Sequence, residues 1–217
     1  MPDTQKEIYY ISAETSAQAL ASPHLEGFKS KNIPVLIMTD AIDQFWLPMV
    51  GSFKEKKFTS ITQGKINLDE LDSNNKDKKN KSNNDKDKQD KEYVDLIAQL
   101  KVVLGDQVKD IRLSSKLTDS PVCLVADEGD MDIAMEQLMA QRDSNYKGAP
   151  RILEINGDHS LIKNMKSLLS KKESNDLVSD AGTLLFEQAR LMEGKMPADP
   201  AQFSKIMNQF LLKAIPN

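Results

Sequence analysis

The side chains with chemical potential in this 217-residue chain are acids and methionines; it holds one cysteine and two histidines. The run "DEGDMD" (127–132) has the carboxylate density of a calcium loop. It lacks the alternating ligand order and the closing glutamate that such a loop requires. Charge complementing a helix start is the better reading. Asp40 and Asp43 in "MTDAID" form the one close carboxylate pair near predicted strand ends. General acid–base chemistry there would need a nucleophile or base beside it, and none accompanies it; Asp40 reads as a helix cap. Cys123 stands between Val122 and Leu124, as a buried strand thiol would. With only His24 and His159, both distant, it cannot complete a zinc site. His159 reads as a capping or packing residue. Gly-x-Gly-x-x-Gly, Walker, His-Glu-x-x-His and Gly-x-Ser-x-Gly patterns are all missing. Absent motifs of this kind favour a binding and assembly module over an enzyme.

The methionines carry the sharper question. "DMDIAMEQLMAQR" (130–142) reads as a short helix. At about 100° per residue, Met131, Met135, Leu138 and Met139 fall on one stripe. Asp127, Glu128, Asp130, Asp132 and Glu136 crowd the approach and the other side. An apolar stripe ordinarily faces a core. Methionine is also flexible and polarizable, and is over-used on surfaces that hold changing apolar partners. Periodicity alone leaves both readings open.

The elements that must position these residues fall into two parts. Residues 73–91, "SNNKDKKNKSNNDKDKQDK", contain no apolar side chain, with seven Lys, four Asp and five Asn. Such a stretch cannot offset its ordering entropy by burial and reads as a disordered linker. Before it, 1–72 has α/β character. "EIYYI" (7–11) and "IPVLIMT" (33–39) are strands around a helical 15–31, which suggests a parallel crossover. "DQFWLPMV" (43–50) reads as a helix that Pro48 would interrupt, and "KFTSIT" (57–62) as a last strand. After the linker, 92–217 reads as α+β. A helix at 92–105 ends on Gly105, strands follow at 108–113, 121–126 and 151–155, and Asp158 is placed to cap a helix at 159–171.

Two helices close the chain, at 175–194 and at 199–215 with Asp199 and Pro200 as its start. Leu184, Leu185 and Leu191 on the first, and Phe203, Ile206, Met207, Phe210 and Leu211 on the second, give more apolar surface than a three-stranded sheet needs. Two copies could close these faces as an isologous four-helix bundle; packing within one chain is the other solution.

Composition narrows the classes further. A net charge of −4 supplies no general basic field for nucleic acid. No apolar run reaches membrane-spanning length, and "MPDTQKEIYY" has no secretion-signal pattern. A single cysteine fits a reducing, cytoplasmic setting.

Several stretches, taken together and in order, resemble one family. "QKEIYYISAE", "SPHLEGFKSKNIPVLIMTDAID", "VKDIRLSSKLTDSPVCLV", "ILEINGDHSLI" and "DPAQFSKIMNQFL" are similar to the C-terminal portion of the ninety-kilodalton heat-shock protein family, bacterial type. The likeness covers nearly everything except 73–91, and Met1 fits the family's own pattern, so it need not be a natural start. It implies an α+β fold. Residues 1–72 would be the last α/β subdomain of the middle domain. Residues 92–217 would be the dimerisation domain, with a three-stranded sheet and C-terminal helices that form a four-helix bundle across the dimer.

The function implied is the homodimerising, client-binding portion of an ATP-dependent stress chaperone. ATP and magnesium belong to a domain upstream of this stretch, so no catalysis and no cofactor is expected of this chain. The family's client-contacting helix matches Met131, Met135, Leu138 and Met139. An aromatic after the "DxID" motif matches Phe45, with Trp46 beside it. The eight residues named on the two closing helices, Leu184 to Leu211, would form the dimer interface. Gly157 and Ser160 depart from prolines common in the family. "AIPN" lacks the acidic tail that docks tetratricopeptide co-chaperones, so those partners are not expected, nor is nucleic acid or membrane. A small α/β enzyme with an acidic site at Asp40 and Asp43 is the alternative from a different class.

Overall fold

A computed structural model describes residues 5–68, 91–143, 146, 148–170 and 175–215. The predicted linker at 73–91 lies, but for Lys91, outside the described residues. Two mixed α/β lobes, each built on its own sheet, pack against each other.

The first lobe begins with strand β1 (Glu7–Ser12), then helix α1 (Ser16–Leu20) and a 3-10 turn at Pro23–Leu25. Helix α2 (Glu26–Ser30) leads to strand β2 (Val35–Met38), which pairs parallel with β1. The expected crossover is therefore present. Helix α3 (Asp43–Val50) continues through Pro48, correcting the expected interruption. Proline removes one backbone bond and crowds the preceding turn. Here it is exposed and sits in the final turn, so little helix lies beyond it.

Strands β3 (Ser52–Phe53) and β4 (Lys56–Ser60) form an antiparallel hairpin, and the sheet order is β2-β1-β4-β3. The sequence reading missed β3. Its turn puts Lys54 and Glu55 at φ 47° and 64°, a geometry that usually announces itself through Asn-Gly or Asp-Gly. Tyr9, Ile11, Ala19, Phe28, Ile61 and Leu68 form this lobe's core.

The second lobe opens with helix α4 (Val94–Leu104), stopped at Gly105, whose φ of 49° favours glycine. Strands β5 (Val108–Leu113), β6 (Val122–Val125) and β7 (Arg151–Ile155) make a sheet ordered β5-β7-β6, parallel then antiparallel. Helix α5 (Ile133–Arg142) lies between β6 and β7 in sequence. Helices α6 (Ser160–Ser170), α7 (Asn175–Met192) and α8 (Pro200–Ala214) follow. The N–H of Leu161 is taken by His159 Nδ1 at 3.1 Å, while Asp158 pairs with Lys163. His159 therefore caps α6 in place of Asp158. At α8, Asp199 caps as read, accepting from the N–H groups of Ala201 and Gln202.

The lobes meet through a polar seam. Ala126 donates to the Thr62 carbonyl and accepts from Gly64, so strand-like pairing crosses between them. Lys116 is only 1% exposed. It donates to the Ile61 carbonyl at 3.0 Å and stands 3.8 Å from the buried Glu154. Arg112 bonds Glu154 and the Gly64 carbonyl, each at 2.8 Å. Across the seam, the Glu26 carboxylate accepts N–H bonds from Thr118, Asp119 and Ser120. A Cβ on Gly27 would lie 2.5 Å from the Lys116 carbonyl oxygen, so glycine permits this approach.

Candidate functional site

Helix α5 buries a carboxylate beside an apolar residue. Ile133 and Glu136 are its buried residues, while Met135, Leu138 and Met139 are half-buried. Met131, predicted on the helix, lies before its first turn and is 41% exposed. The start is fixed by Asp132, which accepts from Ala134 N–H at 3.0 Å with one oxygen. Its other oxygen accepts from the Ser60 and Thr62 hydroxyls of the first lobe. Satisfying one of the orphan donors of a helix start this way is worth about 1 kcal/mol.

The acids before α5 are tied to one cation. Lys109 reaches Asp127 at 2.8 Å and Asp130 at 3.0 Å. Its hydrogen bond holds the Asp127 carboxyl below the usual carboxylate range. Among the described residues, no group of three metal-ligating side chains comes together.

Glu136, which the sequence places among acids on the approach and the other side of the stripe, is the anchor. It is 2% exposed and sits 2.6 Å from Arg151 Nη2, itself 3% exposed, and 3.1 Å from Lys195. It also accepts from the Ala149 N–H. Gly148, at φ 69°, passes so close that a Cβ there would lie 2.5 Å from Glu136 Oε1. Arg151 further donates to the Met131 carbonyl at 2.8 Å, and Gln137 donates to the Glu193 carbonyl at 2.6 Å. These partners lie too far along the chain for periodicity to find them, and Glu136 flanked by Met135 and Gln137 carries no local signal of burial.

Helix α3 presents the second set. Phe45 and Trp46 are both half-buried. Trp46 donates to Asp43 Oδ1 at 2.7 Å and packs edge-on against Phe58, ring centroids 5.9 Å apart. Asp43 also accepts from the Asp40 N–H, and the helix N-cap is Ile42, so Asp40 is not the cap expected. This use of Asp43 leaves the Asp40/Asp43 pair without the geometry of an acid–base site. A groove of about 250 Å³ separates α3 from α5, with Gln44 on one wall and Leu138 on the other. The structure thus brings the neighbourhoods of Phe45 and the methionine face together.

The closing helices divide their apolar residues. Leu185 and Ile206 are buried inside the chain itself, Leu185 in the core with Leu100, Ile162 and Phe186. Leu184, Phe203 and Phe210 are half-buried. Leu191, Met207 and Leu211 are exposed, as are the unpredicted Leu212, at 77%, and Ile215. Cys123 is buried in β6, where burial pushes its thiol well up.

Comparison with known proteins adds the relationship. The family model described as Hsp90 protein matches residues 1–216. A chaperone protein HtpG from Roseobacter denitrificans is 40% identical over 97% of this chain. Proteins of the same name from Paramagnetospirillum magneticum and Wolbachia pipientis are each 38% identical, over 99% and 98% of it. The chain spans about a third of the length of these relatives, 34% for the first two and 33% for the third.

Proposed function

The chain belongs to the Hsp90 protein family, and from that premise we propose that it serves as the dimerising and client-holding third of an ATP-dependent molecular chaperone. Nucleotide binding, with ATP and magnesium, falls to parts of the relatives beyond the third that this chain matches. In this reading 1–72 is the end of a middle domain, 73–91 a linker and 92–217 the dimerisation domain of a cytoplasmic protein.

The observation that carries the client reading is the orientation of α5. Its buried side is held by charge, through Glu136, Arg151 and Lys195, and its methionines stay half-exposed. An adaptable apolar face suits unfolded partners of varied sequence. Phe45 and Trp46 follow Gln44, which stands across the groove from Leu138. The exposed Leu191, Met207, Leu211 and Leu212 favour a homodimer in which α7 and α8 of two copies close a four-helix bundle.

The test is the Met135→Ser, Met139→Ser double variant. It should keep its fold and dimer and lose most binding to an unfolded protein, with weaker suppression of that protein's aggregation. Undiminished client binding by the folded variant overturns the assignment.

A further inference from the structure

Beneath the inner face of α5 lies a cleft of about 650 Å³. Gln137 and Gln141 of α5, which also line the groove toward α3, form part of its wall, so it continues the face assigned above to clients. Its cations are all in ion pairs, although Arg151 Nε and Arg190 Nε have no hydrogen-bond acceptor. Arg151 and Lys195 pair with Glu136, and Arg190 pairs with Glu187 at 3.1 Å. Its carboxylates are in surplus. Among the described residues, no Lys or Arg forms an ion pair with Glu14 or Asp106, both of which line the cleft.

Glu193 is the unusual member. Its side chain is 7% exposed, yet neither carboxylate oxygen accepts a hydrogen bond. The nearest cation, Lys195, stands 3.6 Å away and donates to Glu136 instead. A buried carboxylate without donors is costly, so such groups are ordinarily paired. A cation would supply the missing donors, and the cleft that Glu193 lines has room for a long side chain to bring one.

We propose that this cleft is a second client contact, taking a lysine or arginine side chain from an unfolded segment whose apolar neighbours lie on the methionine face, with the Glu193 carboxylate as its partner. The proposal rests on the client reading of α5. It narrows the preferred client to segments in which a cationic residue stands next to large apolar ones. An arginine can satisfy both oxygens at once, through parallel N–H bonds.

Protonation follows from the same surroundings. Burial pushes the Glu193 carboxyl up to about 7, against the pull of Lys195 and Arg151 and with Glu136 adding to the rise. A smaller cavity on its far side is lined by Cys123 of β6 and by His24 of the first lobe. Burial holds His24 neutral, down to about 3, and keeps the Cys123 thiol protonated. A bound cation requires Glu193 ionised, so client binding should release a proton near neutrality.

The experiment uses two labelled, unstructured peptides that differ at one site, arginine or its neutral isostere citrulline between leucines, titrated against the full chain by fluorescence anisotropy. The wild type should prefer the arginine peptide about tenfold, the worth of one charge-assisted bonded pair. Glu193→Gln should remove the preference for arginine, whereas the methionine double variant should weaken both peptides. Equal affinities in the wild type, or a preference that survives in Glu193→Gln, overturn this inference and leave the client reading standing. Failure of both peptides to bind the wild type overturns both. As a measurement independent of the variant's folding, the wild-type preference should grow from about pH 6 to about pH 8; a flat preference overturns the proposal.

Discussion

Replacing Glu136 with alanine should destabilise this protein far more than replacing its neighbour Met135 with serine. In an amphipathic helix of the ordinary kind the order is reversed. Glu136 and Arg151 are 2% and 3% exposed and 2.6 Å apart. The carboxylate also accepts from Lys195 and from the Ala149 N–H, both at 3.1 Å. Its removal leaves the Arg151 guanidinium buried and uncompensated, which costs about 3–5 kcal/mol. Lys195 is half-exposed and can turn to solvent, so it adds little. Met135 is half-buried on the outward side, and a polar side chain there should change stability by only about 0.5 kcal/mol.

The assay is urea unfolding followed by far-ultraviolet circular dichroism. With a slope of about 2 kcal/mol per molar, Glu136→Ala should lower the midpoint by about 2 M and Met135→Ser by a few tenths. Glu136→Gln, which keeps the shape and loses the charge, should fall between. A Met135→Ser loss equal to that of Glu136→Ala would falsify the anchoring role of Glu136, and with it the reason for treating the methionines as a surface.

Leu212→Glu should give a folded monomer by sedimentation, because Leu212 is 77% exposed on the chain alone, whereas Leu185→Glu should unfold the second lobe, because Leu185 is 4% exposed in its core; a folded monomer from Leu185→Glu would count against the packing described. Acid should loosen the lobe seam through Glu26. Burial raises its carboxyl, and the hydrogen bonds from the Ser120 hydroxyl and the Asp119, Thr118 and Ser120 N–H groups outweigh that and lower it. Its stabilisation is thus present above the ordinary glutamate range and lost as pH falls through the lowered value. Proteolysis at residues 118–120 should quicken with acid in the wild type, and Glu26→Gln should show the fast rate already at neutral pH.

Much of this architecture is written in local pattern. Both sheets' long strands, the stop at Gly105 and the Asp199–Pro200 start of α8 follow from periodicity and capping chemistry. The failures share a cause. Hairpin β3–β4 turns on Lys54 and Glu55, residues that carry no turn signal. Pro48 breaks helices in general, and its place in a final turn is a fact of geometry. The α5 stripe was legible, and its orientation was not. Which side of a helix faces inward depends on what waits there, and Arg151 and Lys195 arrive from remote segments to make a carboxylate the buried side. Leu185 and Leu212 look alike as apolar positions on closing helices, and only the packing of α4 against α7 separates them.

The buried Glu136 also bears on why the apolar stripe beside it stays half-exposed. An apolar stripe beside a core should collapse onto that core, because burial of each large side chain stabilises by about 1.5–3 kcal/mol. Anchoring α5 through Glu136, Arg151 and Lys195 makes its rotation costly, since turning the helix would break the pairs and strand Arg151. Charge therefore fixes the orientation of this helix. The cap strengthens the same arrangement, because Asp132 is held by Ser60 and Thr62 of the first lobe. Any shift of that lobe against the second pulls directly on the first turn of α5. The seam and the helix that carries Met135, Leu138 and Met139 thus share one residue, Asp132.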